Sequence, residues 1–245
     1  MNKWLDRVHE KNELTFALLW IGIYCLVNSL ANLVSSAIGI DSSVTAVVNI
    51  LLTITICQWI CKKGLLCYYG LCKSRVPAAK FLWYLPLVLF ASTNLWLGFG
   101  RNLPAVDATC YILNMLCVGF LEEVIFRGFL FKALAKDNVK TAIIISSVTF
   151  GIGHILNLFN GSGMELVDNL CQMIGAIACG FLFVLIFHRG GSLWPCVIAH
   201  GVNNAVSVFA NEAALTVQTQ LTLSAAIMVI VIGYTLVLNR TLPQK

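Results

Sequence analysis

Glu122-Glu123-Val124-Ile125-Phe126-Arg127 places two adjacent carboxylates and a guanidinium inside an apolar run from Ala108 to Phe131. The rest of that run suits lipid, so these charges are the feature to be explained. A charged side chain at the centre of a membrane helix costs about 2.5–3.5 kcal/mol even on lenient scales. A helix offers one compensation: Glu123 and Arg127 are four apart, share a face and can pair. Glu122 then points about 100° away from Glu123 and is left for another task. The run reads as a membrane span holding a structural ion pair and one further acid.

Composition extends that reading to the whole chain. Of 245 residues, 59% are hydrophobic and 11% charged, with a mean hydropathy of +0.85. Such a balance excludes an ordinary soluble domain. The length accommodates about eight spans of about 20 residues and leaves no room for a separate soluble domain. The expected fold is all-α: a polytopic transmembrane helix bundle forming one membrane domain over residues 1–245. The formal charge of +5 reflects Lys and Arg in cytoplasmic loops, and nucleic acid is not expected as a partner. The ten cysteines lie mostly within apolar runs, without a C-x-x-C pair, and read as small buried hydrophobes. Met1 to Glu13 mixes acids and bases ahead of an apolar run too long for a signal-peptide core, so the first span is expected to be retained.

Outward from the charged stretch, apolar runs cover Leu14 to Ile40, Val44 to Ile60 and Phe81 to Phe99 before it. After it come Thr141 to Phe159, a sixth run ending near Phe187, Leu193 to Ala210, and roughly Leu221 to Leu238. Lys62, Lys63, Lys73, Arg75 and Lys80 fill one connection and Lys132, Lys136 and Lys140 another, whereas Gly161 to Asp168 carries only acids. With the N-terminus inside, only Arg101 of the sixteen Lys and Arg residues falls outside. Both termini are therefore expected in the cytoplasm, around about eight helices. Asn160-Gly161-Ser162 matches a glycosylation acceptor, a pattern too short to carry an argument.

Polar residues recur deep within the later runs as Phe150-x-x-x-His154 and His200-x-x-x-Asn204, with Asn203 adjacent. His200 and Asn204 share a helix face and can reach one small volume. A carboxylate with a histidine can deprotonate water, and imidazole and carboxamide N–H groups can donate to an oxyanion. Glu122, His154 and His200 would equally supply the two-His-one-Glu ligation of a catalytic zinc. Helix depth raises one tension. His200 lies about 10 Å, and His154 about 20 Å, from the cytoplasmic ends of their runs, so the two meet only if one helix starts deeper or tilts.

These motifs, in this order on separate apolar runs, resemble the three signatures of the CPBP family, the CAAX prenyl endopeptidases and bacteriocin-processing proteins also called Abi. The wider contexts Phe120 to Gly128 and Ser192-Leu193-Trp194-Pro195 resemble the family too, and the match covers about Gly119 to Asn204. The resemblance implies an intramembrane endopeptidase with its catalytic core within 108–210. Glu122 and His154 would activate water, and His200 and Asn204 would stabilise the oxyanion. Glu123 and Arg127 would support the site, with Phe150 and Asn203 beside them. It implies either a glutamic or a metal-dependent mechanism, the metal being zinc at Glu122, His154 and His200. The implied roles are CAAX-type processing, bacteriocin processing or self-immunity.

The expected molecule is thus an integral, multi-pass protein of the plasma membrane with a cytoplasm-facing, water-filled cavity. Its partners are membrane lipid and a hydrophobic or lipidated peptide; the oligomeric state is not specified. Two other classes stay open on the residues: a catalytically silent membrane binding or immunity protein, and a proton-coupled transporter. The absence of an inverted repeat weighs against the last.

Overall fold

The computed structural model describes residues 3–101, 103–159 and 165–242; the Asn160-Gly161-Ser162 match lies outside them. Its helices are α1 (Lys3–Lys11), α2 (Glu13–Ile38), α3 (Ser43–Lys62), α4 (Leu85–Ala91) and α5 (Ala105–Glu122). After a π-helical segment, Glu123–Phe131, follow α6 (Lys132–Leu134), α7 (Val139–Gly153), α8 (Leu166–Gly190), α9 (Trp194–Val206) and α10 (Val217–Thr241). Among the described residues there is no strand beyond an isolated bridge between Phe99 and Ala210. The expected all-α, polytopic bundle is what forms.

Among the described residues six helices are long and apolar enough to cross a membrane: α2, α3, the continuous Ala105–Leu134 unit, Val139–Leu158, α8 and α10. The other two apolar runs make shorter helices, and proline sets where each begins. Pro86 stands in the first turn of α4 and Pro195 in that of α9, where a missing N–H costs nothing and φ is already helical. The Phe81 to Phe99 run is broken further by left-handed backbone at Leu82, Trp83 and Tyr84. It becomes a 3-10 turn, the seven-residue α4 and a second 3-10 turn rather than one span. At about 1.5 Å per residue, α9 is about 20 Å long, short of a hydrocarbon core of about 30 Å.

Hydrogen bonds between connections sort them into two ends. At one end Lys63 reaches Glu10 at 3.0 Å, Lys136 reaches Glu13 at 2.8 Å, Arg75 N–H donates to Gly190 O at 2.9 Å, and Arg189 donates to Leu242 O at 3.1 Å. Both chain ends and the basic connections therefore lie together, as the charge pattern expects. At the other end Asp41 N–H donates to Asp107 at 2.8 Å and Gly100 N–H to Phe209 O at 2.9 Å. The cysteines are less buried than expected: Cys179 and Cys196 are enclosed, whereas Cys61 in the last turn of α3 and Cys67 in the basic connection are exposed.

The core gathers around the π segment, all nine of whose residues are buried. Phe129 meets the rings of Phe16, Trp20, Trp59 and Tyr69, which ties α2, α3 and the connection after α3 to it. Against the other side of this unit, α5 and α9 approach until a methyl group added at Gly119 would stand 2.5 Å from Gly201 Cα. That closeness brings α9 within side-chain reach of the acidic pair.

Candidate active site

Arg127 and Glu123 are both 0% exposed and pair at 3.0 Å, as their spacing predicts. The pairing survives although the backbone is π-helical there. A π turn leaves carbonyls displaced from the ordinary ladder, and one of them, Phe126 O, accepts from Ser146 Oγ of α7 at 2.9 Å. The Arg127 guanidinium carbon also sits 3.9 Å from the Phe150 ring centroid and 5.6 Å from that of Phe183. Aromatic faces thus replace part of the solvation that burial removes.

His200 is the second partner of Glu123. Its Nδ1 lies 2.9 Å from Glu123 Oε1, and its Nε2 lies 3.6 Å from Glu122 Oε2. A carboxylate only accepts, so His200 Nδ1 is the donor to Glu123. Glu122 is less enclosed than Glu123, and its other oxygen accepts from Tyr24 Oη of α2 at 2.9 Å. The two neighbouring acids therefore do separate work, one between Arg127 and His200, the other between His200 and Tyr24.

His154 begins the 3-10 turn that ends the α7 span. Its Nδ1 donates to Phe150 O at 3.1 Å, since a carbonyl can only accept, and this leaves an Nε2 lone pair directed elsewhere. Asn169 Nδ2 in turn donates to His154 O at 2.7 Å. The Phe150 ring lies edge-on to both imidazoles, at 5.2 Å from His154 and 5.9 Å from His200. The depth tension disappears for this reason: short α9 and the end of α7 converge on one aromatic ring.

His154, His200, Asn203 and Asn204 line one cavity of about 760 Å³, together with Phe150, Phe183 and Asn94. Asn203 is used structurally, donating to Phe90 O at 2.8 Å and to Thr93 Oγ1 at 3.0 Å, which fastens α4 to α9. Glu122 does not line the cavity, and among the described residues no hydrogen bond joins it to His154. The remaining walls are the N-terminal halves of α8 and α10, with Glu165, Asp168 and Gln220. The cavity therefore opens at the end of the bundle away from the basic connections, not toward the cytoplasmic end expected from the sequence.

The expected zinc set does not converge. Among the described residues no three His, Cys, Asp or Glu side chains are grouped to hold a metal ion. Glu122 and His200 approach one another while His154 stands on a separate wall, so the three do not fit a zinc in this arrangement. Sequence reasoning missed Tyr24, which is one tyrosine in an apolar run 98 residues before its partner. Its only signal was Asn28, one turn further along the same face of α2.

A family model described as "Type II CAAX prenyl endopeptidase Rce1-like" matches residues 104–206, the segment that carries Glu122, Glu123, Arg127, His154, His200 and Asn204. This segment is similar to the Rce1-like family. The chain is also 33% identical over 98 residues to a protein of Bacillus subtilis (strain 168) named "Putative membrane peptidase YdiL". That alignment covers 40% of this chain and spans about a third, 35%, of the relative's length. No solved structure matches. With six helices of spanning length around the Rce1-like segment, the chain is a multi-pass membrane protein.

Proposed function

We propose that the chain is an intramembrane endopeptidase that cleaves a membrane-associated or lipidated peptide of CAAX type or a bacteriocin-like peptide. The observation that carries this reading is the buried Arg127–Glu123–His200 assembly, which holds His200 Nε2 3.6 Å from Glu122 beside a polar cavity. Nothing in the packing of the bundle needs two acids, two imidazoles and a carboxamide at this depth, where polar groups are costly.

In the proposed reaction Glu122 takes a proton from water as the water oxygen bonds to the scissile carbonyl carbon. The Nε2 lone pair of His154 orients that water. The Asn204 carboxamide donates to the developing oxyanion, as does His200 through Nε2–H when its ring carries both protons. As the carbon–nitrogen bond breaks, the proton held by Glu122 passes to the leaving amine. Glu123 and Arg127 act through His200 by fixing its ring.

The test is cleavage of quenched fluorescent peptides, with and without a lipidated cysteine, by purified protein in detergent containing a chelator. Wild type is expected to cleave in the chelator, and Glu122→Ala is expected not to. Loss of wild-type activity in chelator with recovery on added zinc would replace the glutamic mechanism with a metal-dependent one. A folded wild type that binds the peptides without cleaving them would make the chain a binding or immunity protein. The plasma membrane is the proposed location, checked by fractionation.

A further inference from the structure

Glu122 turns one carboxylate oxygen toward His200 at the cavity and the other toward Tyr24 of α2, and the interface behind Tyr24 is polar. Asn49 of α3 is 0% exposed, and its Nδ2 donates both to Asn28 Oδ1 of α2 at 2.8 Å and to Asn114 Oδ1 of α5 at 2.7 Å. Asn28 Nδ2 donates to Tyr24 O at 2.9 Å, and Tyr24 Oη donates to Glu122 at 2.9 Å. The asparagine cluster and the candidate base are therefore joined through one turn of α2.

Interhelical amide contacts alone would be ordinary glue. What glue does not explain is the face of α3. Thr45, Asn49 and Thr53 are four apart in sequence and so lie in one row. Among the described residues Thr45 Oγ1 and Asn49 Oδ1 are buried without a hydrogen-bond partner, and Thr53 Oγ1 is buried with only the weak Cys117 thiol beside it. A threonine in a helix can bond the carbonyl one turn back, as Thr55 does to Leu51 O at 2.7 Å. Thr45 and Thr53 do not, and aim their hydroxyls into the interface. Three oxygens in a row over about 12 Å, two unpartnered and one facing only a thiol, form a lining for small hydrogen-bonding molecules rather than a packing surface.

The row begins under the α2–α3 turn, where Ser35 Oγ accepts from Val44 N–H at 3.0 Å and Thr45 N–H at 3.4 Å. It descends past Asn49 and Thr53 toward Tyr24 and Glu122. Since α2 runs antiparallel to α3 and α5 runs parallel to it, Asn28 to Tyr24 and Asn114 to Glu122 descend with it.

We propose that the α2–α3–α5 seam is a water-binding site and conduit that delivers the hydrolytic water to Glu122 from behind. Thr45, Asn49 and Thr53 hold the water molecules, and Tyr24 hands them to the carboxylate. This rests on the peptidase reading: a hydrolysis consumes one water per turnover, and substrate filling the cavity leaves this second face of the base open to water. Thr45, Asn49 and Thr53 are positioning residues, since none touches the reacting atoms.

The test combines two readouts on wild type and on the Thr45→Val/Thr53→Val variant, which is close in shape and replaces only the two hydroxyls with methyl groups. Hydroxyl-radical footprinting marks side chains beside bound water, and labelling of Tyr24 and Cys117 is expected to fall several-fold in the variant. In peptide cleavage, kcat is expected to fall about tenfold with KM unchanged, and Asn49→Leu is expected to do the same. Unchanged labelling and unchanged kcat in the variant would overturn the conduit. A variant with a lowered melting temperature is replaced by the single Thr53→Val substitution, read the same way. If wild type cleaves nothing, the peptidase reading fails, while footprinting still decides whether the seam holds water. An effect of sodium or potassium on the labelling would assign the seam to a cation and overturn the proposal.

Discussion

Arg127 keeps one strong partner, Glu123 at 3.0 Å, and its Nε and second terminal nitrogen have no hydrogen-bond acceptor. The rings of Phe150 and Phe183 stand in for the rest. Removing one member of such a buried pair leaves an uncompensated charge, which costs about 3–5 kcal/mol. Arg127→Ala is therefore expected to lower the thermal unfolding midpoint in detergent sharply, and an unaltered midpoint would show that Glu123 does not depend on it. Glu122 lies at the other extreme, partly exposed and holding no cation. Glu122→Gln is expected to keep the melting temperature while cutting peptide cleavage by about 10²–10⁴-fold, the span ascribed to a general base. His154→Ala is expected to act in the same direction without shifting the midpoint.

At the scale of elements, the crossing of α5 and α9 fixes the site. A methyl group at Gly119 would meet Gly201 Cα and N at 2.5 Å, and backbone atoms cannot swing aside as a side-chain tip can. Gly119→Ala is expected to push α9 outward, separate His200 from Glu123 and abolish cleavage, with a lowered melting temperature as the structural readout. Docking of α1 gives a pH dependence. Asp6 accepts from Trp59 at 2.9 Å, and His9 lies 2.7 Å from Tyr69 Oη. Burial lowers the His9 pKa below its ordinary value of 6.5, against the opposing pull of Glu13. The undocked helix thus binds the proton more readily than the docked one. Docking is complete above about pH 6.5 and is lost as the pH falls through the lowered value of the docked state. Tryptophan fluorescence across that range checks the sign, and His9→Phe is expected to flatten the profile.

Across the whole molecule the charges divide between two ends. Lys and Arg crowd the end that carries both termini, and the cavity with the imidazoles opens at the other, between Glu165 and Asp168. Among the described residues no Lys or Arg lines that cavity. A peptide with basic residues is expected to be cleaved faster than a neutral one. The paired change Glu165→Gln and Asp168→Asn is expected to reduce that preference about three- to tenfold, with less effect at high salt, where exposed charges are screened. Equal cleavage of basic and neutral peptides by wild type would remove the electrostatic contribution.

Much of this was legible in the sequence because the lipid environment makes it so. Uninterrupted apolar runs must be helices, charges inside them must be paired, and Lys and Arg mark one side. The Glu123–Arg127 pair follows from a spacing of four on a single helix, and the His200–Asn204 spacing places both residues on one face for the same reason. Residues brought together from different helices were not legible. Nothing in an apolar run announces that Tyr24 meets Glu122, that Phe150 gathers two imidazoles, or that α9 stops after thirteen residues. Those contacts depend on how closely helices approach and at what depth each begins, which Gly119, Gly201, Pro86 and Pro195 settle through packing. The direction in which the cavity opens belongs to the same class. Hydrophobicity is nearly uniform along this chain, so only the tertiary arrangement decides which polar residues share a space.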